Sequence, residues 1–382
     1  MRKKERIDLT IVIPIVLFFI ISITSIYSAM TYLSPDNGNL ALKQAIWYLV
    51  GVVIIIILLK LKNDYLYRNA WFFYIIGNIL LLSLLLFAPE INNSKCWFVI
   101  PYIGSFQPSE FMKIFIMLVL AVMISNFRET TDHPSIKEEF IFILKTLIVV
   151  LIPSVLTFLE PDTGAVMIYF IIYFCMMFTS GIRLRWFVVL GIIIAVMLSL
   201  VLGCYFLNED LFVNIFGTDL YYRFDRILDW QNGSGLQLEN ALAAIGSAGV
   251  FGHGFNQTPI YFPESGTDFI FAVFASNFGL LGAIILIGII IFFDTRLIGM
   301  ATKKIASRDK FVLAGIIGML VFQQVQNIGM TVGLLPITGI TLPFISYGGS
   351  SLLSYLILVG IILNISNEKE REYNRLLAKL SI

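Results

Sequence analysis

The residue best placed for proton chemistry is Asp268. It closes a polar stretch, Phe262-Pro263-Glu264-Ser265-Gly266-Thr267-Asp268, and the apolar Phe269-Ile270-Phe271 follows at once. An acid at the edge of an apolar run is desolvated, which raises its pKa and makes its ionised form a stronger base. From spacing alone a solvated helix cap fits equally well. Glu110 and Lys113 stand three residues apart in Gln107-Pro108-Ser109-Glu110-Phe111-Met112-Lys113. That spacing puts them on one helix face as a pair, and Pro108-Ser109 reads as the helix start, where the dipole favours an acid. A structural pair and a cavity lining both fit them. Glu160 and Asp162 flank Pro161 in a short turn, where helix capping is the better reading and cation binding the alternative. Gln323, Gln324, Gln326 and Asn327 lie within an apolar run and read as interhelical hydrogen-bonding groups. There is no nucleotide-binding glycine-lysine loop and no zinc-ligand cluster, and only two histidines occur, His133 and His253.

The elements that carry these residues are set by composition. Hydrophobic residues make up 58% of the 382, charged residues 13%, and mean hydropathy is +0.88. Globular chains carry roughly 25% charged residues, whereas a bilayer-spanning helix needs about 20 apolar ones. Such runs fall near 9–32, 42–61, 70–88, 109–127, 140–159, 164–181, 186–207, 269–294, 309–332 and 347–366. The expected fold is therefore an all-α polytopic membrane protein of about ten transmembrane helices. The first run is too long for a signal-peptide core and reads as an uncleaved helix. The odd, scattered cysteines Cys96, Cys175 and Cys204 imply no disulfide framework.

Charge sets the orientation. With both termini cytoplasmic, 21 of the 26 Lys and Arg residues fall on the inside, and Lys43, Lys95, Lys113, Arg223 and Arg226 remain outside. The long segment 208–268, between the seventh and eighth spans, is then extracytoplasmic and large enough to build a site. Its glycines are spaced too irregularly for a nucleotide fingerprint, and they read as a partly re-entrant loop.

Five blocks carry a likeness. They are Phe106-Gln-Pro-Ser-Glu-Phe-Met-Lys113, Glu160-Pro-Asp-Thr-Gly164, Ala244-Ile-Gly-Ser-Ala-Gly249, Phe262-Pro-Glu with Thr267-Asp-Phe-Ile-Phe-Ala-Val273, and the long Gly333–Ser351 segment. The chain resembles the SEDS family of bacterial cell-wall polymerases (RodA, FtsW, SpoVE), and Phe111 makes it look most like RodA. The resemblance implies one SEDS-type domain over 1–382 in the bacterial cytoplasmic membrane. It also implies a peptidoglycan glycosyltransferase that polymerises lipid II for elongation and cell shape. In that family the acid matching Asp268 is thought to deprotonate the acceptor GlcNAc 4-hydroxyl, which attacks the MurNAc anomeric carbon and expels undecaprenyl diphosphate. A leaving diphosphate needs cations, and Arg223, Arg226 and Lys113 are the scarce outside ones. Glu110, Glu264 and Gln237 are further substrate-binding candidates, and Ser346 and Tyr347 join Glu160 and Asp162 as cavity candidates. A divalent cation, Mg2+ or Mn2+, is the one cofactor to consider, with no ligand residue assigned. A class B penicillin-binding transpeptidase and the elongation or division machinery are the implied partners, and nucleic acid is not. The chain departs from the family at Gly266 (commonly His), Ser276-Asn277 (commonly Glu-Glu) and Leu236–Ala241. Those changes keep a divergent non-catalytic scaffold in view, and a lipid II flippase is the other alternative.

Overall fold

In hydrocarbon every backbone N–H and C=O must be bonded within the protein, so long apolar runs become helices. The computed structural model describes residues 8–32, 39–89, 95–100, 104–131, 133–207, 209–218, 221, 235–302 and 308–380. Its helices are α1 (Leu9–Ala29), α2 (Leu40–Arg68), α3 (Ala70–Phe87), α4 (Pro108–Thr130), α5 (Ile136–Leu159), α6 (Thr163–Thr179) and α7 (Arg185–Leu207). They continue as α8 (Glu209–Phe216), α9 (Leu236–Ser247), α10 (Ile270–Ala301), α11 (Arg308–Thr331) and α12 (Gly349–Leu380). Among the described residues nine of these are long and apolar enough to cross a membrane, and the 17-residue α6 is a shorter apolar helix. Seventeen residues lie at the lower end of the roughly 17–25 that span a bilayer, so the ten expected runs each correspond to a helix. Outside them β1 (Phe98–Ile100) and β2 (Gly104–Phe106) form an antiparallel hairpin, the one departure from an all-α reading among the described residues.

Short polar residues set the helix starts. Asp8 accepts from Thr10 N, Asn39 from Leu42 N and Asp162 from Ala165 N, and Ser135 with Glu138 forms a capping box before α5. Helices α4, α11 and the membrane part of α12 are mostly buried and make the centre; α7 lies at the periphery, with none of its apolar window buried. Lipid tails are as apolar as leucine, so polar contacts add specificity to helix packing. Tyr74 donates to Val149 O across α3 and α5, and Asn63 donates to Ile361 O across α2 and α12.

The expected eighth span is not continuous. Gly279 (φ +64) breaks α10, and residues 249–254 are spliced into the break. His253 N and Gly254 N donate to the carbonyls of Ser276 and Asn277, while Leu280 N and Leu281 N donate to those of Gly249 and Val250. The helical bonds lost at the break are thus replaced. Gly252 (φ +80) makes the crossing possible, since a Cβ there would lie 2.2 Å from Asn277 O. Asn277, one of the departures noted above, is fully buried and ties three elements. Its Nδ2 donates to Ser28 Oγ of α1 at 2.7 Å, and its Oδ1 accepts from Thr258 Oγ1 at 3.0 Å.

Gly252→Ala sets a methyl group against backbone that cannot move aside and also requires positive φ. It should destabilise the protein by about 3 kcal/mol or more. A fall in the thermal unfolding midpoint in detergent checks this, and an unchanged midpoint would show that the splice is not tight.

Candidate functional site

Asp268 sits on a turn pinned from both sides by buried rings. Phe262 and Phe269 are each 1% exposed and meet edge to face, 6.3 Å between centroids. The turn closes on Glu264, whose carbonyl accepts from Thr267 N and Phe269 N. Glu264 adopts φ +54, and its carboxylate accepts from Thr267 Oγ1 at 2.6 Å. One side chain then fixes the turn to the protein centre. Asn327 of α11 donates from Nδ2 to Asp268 O and to Ile340 O, both at 2.8 Å. From the far side Ser346 Oγ donates to Thr267 O at 2.6 Å and Tyr347 N donates to Gly266 O at 2.9 Å.

Ile340, Ser346 and Tyr347 belong to residues 333–348, an irregular segment between α11 and α12 that is buried at 340 and 342–346. Such backbone persists only with every polar group satisfied. Gln326 donates to Pro336 O, Tyr48 to Phe344 O, Ser22 to Ile345 O and Gln44 to Ser346 O. Phe344 takes φ +67, a conformation an aromatic residue rarely adopts. Its ring is held by a stack on Phe18, an edge contact with Phe293 and a tilted contact with Tyr355. The aromatic cluster and the bonded carbonyls together fix this strained backbone beneath the Asp268 turn.

The Asp268 carboxylate lines a cavity of about 500 Å3, the size of a small-molecule site. A Cβ added to Gly339 (φ +69) would lie 3.6 Å from Asp268 Oδ2, so the backbone there approaches the acid closely. Glu264, Thr267 and Tyr347 line the same space, as do Glu110, Asp162, Gln107, Gln323 and Thr341. Trp97 lines it next to the hairpin, which is tied to α12 where Gln107 N donates to Ser350 Oγ and Ser350 Oγ to Ser105 O. Burial, and secondly the charge of Glu264, push Asp268 up to about 7. Its proton is thus held into the neutral range, where an ordinary aspartate would be fully ionised.

The other candidate residues fall in distinct places. Glu110 faces the cavity, and Lys113 lies behind it, 1% exposed and bonded to Glu110 Oε2 at 2.6 Å. Ser354 also donates to that oxygen, and the Lys113 ammonium sits 5.3 Å above the Tyr355 ring. Asp162 both caps α6 and accepts from Gln107 Nε2 and Ser109 Oγ, and burial raises its pKa. Glu160 is fully buried with both carboxyl oxygens unpartnered, and burial followed by the Asp162 charge pushes it up to about 8. It keeps its proton at neutral pH and does not line the cavity. Gln237 is half-buried on α9 and is not among the cavity-lining residues either. Ser346 is a backbone tie, as described. Arg223 and Arg226 lie outside the described residues. Trp97 and the pair of hydrogen bonds from Asn327 carried no signal as site features in the sequence; Gln107 and Thr341 were legible only as parts of the block around Glu110 and of the Gly333–Ser351 block. Among the described residues no three His, Cys, Asp or Glu side chains converge as metal ligands. No group among the described residues fits a resident divalent cation, and no step below passes through one.

Asn327→Leu removes the donor and leaves two buried carbonyls unpaired, each at about 1–3 kcal/mol. The thermal midpoint should fall accordingly; a variant as stable as the wild type would mean that the turn is held by other contacts.

Residues 7–371 match the cell cycle protein family that comprises FtsW, RodA and SpoVE. The chain is 32% identical to Stage V sporulation protein E of Bacillus subtilis, over 95% of this chain and 98% of that one. It is 31% identical to the probable peptidoglycan glycosyltransferase FtsW of Lactococcus lactis, covering 98% and 96% of the two chains. Among solved structures it is similar to the rod shape determining protein RodA of Thermus thermophilus, with TM-score 0.66, 25% identity and 94% and 96% coverage. A chain of a peptidoglycan synthase complex that coordinates polymerization and crosslinking shares the fold at TM-score 0.77 and 24% identity, covering 95% of this chain and 98% of that one.

Proposed function

The chain belongs to the FtsW, RodA and SpoVE family of multi-pass bacterial inner-membrane proteins, and we propose that it is a peptidoglycan glycosyltransferase that polymerises lipid II with Asp268 as its base. The observation that carries this reading is the Asp268 carboxylate, held on a pinned turn and lining a cavity of small-molecule size; burial there raises its pKa to about 7. A sugar hydroxyl is a poor nucleophile and needs a base within hydrogen-bond reach whose pKa lies near the working pH. Asp268 takes the proton of the acceptor 4-hydroxyl as that oxygen bonds to the donor's anomeric carbon. The anomeric carbon's bond to the lipid diphosphate breaks, and its electron pair leaves with the diphosphate. No nucleotide is consumed, because the donor's own diphosphate linkage drives the step.

The cations take unequal parts in this reading. Lys113 is committed to Glu110 and buried behind it, so it fixes the orientation of that carboxylate and does not touch the leaving group. Arg223 and Arg226 remain the basic residues assigned to the diphosphate, in the extracytoplasmic segment 208–268. The excess of Lys and Arg at the opposite ends of the spans supports cytoplasmic termini and an outward-facing Asp268. Phe111 supports a role in elongation and cell shape. The relation to a synthase complex that also crosslinks supports a class B penicillin-binding transpeptidase as partner.

The test is reconstitution with such a partner and lipid II. Wild type should yield glycan strands, and Asp268→Asn should reduce the rate by about 100-fold or more, the usual worth of a general base. Equal polymer from both would remove Asp268 from the role; lipid II translocation without polymer would instead favour a flippase.

A further inference from the structure

We propose that the break near the end of α2 binds the phosphate headgroup of an anionic phospholipid. The break lies at the end of the bundle where α1 begins and α12 leaves the membrane, outside the Asp268 cavity. At Lys62 the chain turns to φ +63 and ψ 161, a combination that essentially only glycine adopts. Such strain persists where the surroundings hold it. Asn364 of α12 holds both sides, donating from Nδ2 to Leu58 O before the break at 2.9 Å and to Asn63 Oδ1 after it at 3.2 Å. Asn63 Nδ2 donates in turn to Ile361 O. The final turn of α2 buries Leu66 and Tyr67, while Lys60, Lys62 and Arg68 stay exposed.

Tyr67 brings in a second element. Its hydroxyl donates to Asp309 Oδ1 at 2.6 Å, so the start of α11, with Arg308 and Lys310, lies against the same corner. Among the described residues none of these five basic side chains takes part in a hydrogen bond or an ion pair. Five cations against two acids, Asp64 and Asp309, leave three positive charges in excess. The surface beside them is nevertheless apolar. Tyr65, Trp71 and Phe72 are exposed, and Val53, Ile56 and Ile57 continue the exposed face along α2. On a membrane-spanning helix that face meets acyl chains, and the aromatic residues mark the headgroup level. A lipid lying along α2 thus sets its phosphate among the cations. An acidic protein segment would satisfy the charge and leave the apolar face uncovered.

The test reads the lipid next to Trp71, at the start of α3. The full chain is reconstituted in phosphatidylcholine vesicles with a rising fraction of brominated phosphatidylglycerol or brominated phosphatidylcholine. Quenching of Trp71 is taken as the difference between the chain and its Trp71→Phe variant. Phosphatidylglycerol should reach half-maximal quenching at a mole fraction about tenfold lower than phosphatidylcholine. Lys62→Gly keeps the backbone conformation and removes one charge, and it should reduce that preference by about fivefold. Adding Lys60→Gln and Arg68→Gln should abolish it. Lys137→Gln, an exposed lysine in the first turn of α5, should leave it unchanged. Equal quenching by the two lipids, an undiminished preference in Lys62→Gly, or an equal loss in Lys137→Gln would overturn the proposal. So would relief of the quenching by inorganic phosphate beyond that of chloride at equal ionic strength, which would make the ligand a free anion. A chain without lipid preference that binds a polyglutamate peptide through the same residues would point to an acidic protein partner instead.

Discussion

The site depends on the carboxamide of Asn327. From near the C-terminal end of a mostly buried helix it donates at once to Asp268 O and Ile340 O. One carbonyl belongs to the turn that presents the acid, and the other to the irregular segment that lines the cavity beside it. Two backbone stretches more than seventy residues apart are thereby held in register by one side chain. One side chain thereby spares both carbonyls the cost of going unpaired where they are shielded from bulk water.

Once that register is set, the neighbouring contacts have a common direction. Ser346 and Tyr347 close on the turn from the far side, and Tyr48, Ser22 and Gln44 satisfy the carbonyls at 344–346. The fixed backbone holds the Asp268 carboxylate where it is desolvated yet open to a cavity, and Glu264 adds like charge beside it. Glu160 shows what complete burial does instead: with no partner and no opening, it keeps its proton and is unavailable as a base at neutral pH. The spliced break in α10 extends this frame. Asn277 anchors the first part of that helix to α1, and Asp268 precedes the helix by two residues.

Much of this was legible in the sequence. Apolar runs of bilayer length pointed to the nine spanning helices and the shorter α6, and Asp268, Glu110 and Asp162 stood out because a carboxylate beside hydrocarbon needs a reason to be there. Glu110 and Lys113 were seen as a pair by their spacing, but spacing does not tell which member faces the cavity and which lies behind. The break at Gly279 was hidden because the apolar run continues through it, and only the close approach of Gly252 shows why it forms. Asn327 looked like any interhelical amide, since its importance lies in which two carbonyls it meets, and those are set by tertiary structure. Trp97 gave no signal because the hairpin next to it is too short to show a period.

The central claim is that a desolvated Asp268 carboxylate is the base of the reaction, and the pH dependence of kcat/KM tests it most directly. The folded-state pKa of Asp268 is raised to about 7, and only the ionised form can take a proton. The rate should therefore climb as pH rises, reach half its plateau near 7 and level off above it. With Glu264→Gln, which removes the neighbouring charge, the midpoint should move to lower pH. A rate independent of pH between about 5.5 and 8.5, or one that falls across that range, would contradict the account, because a base of this pKa must gate the reaction there.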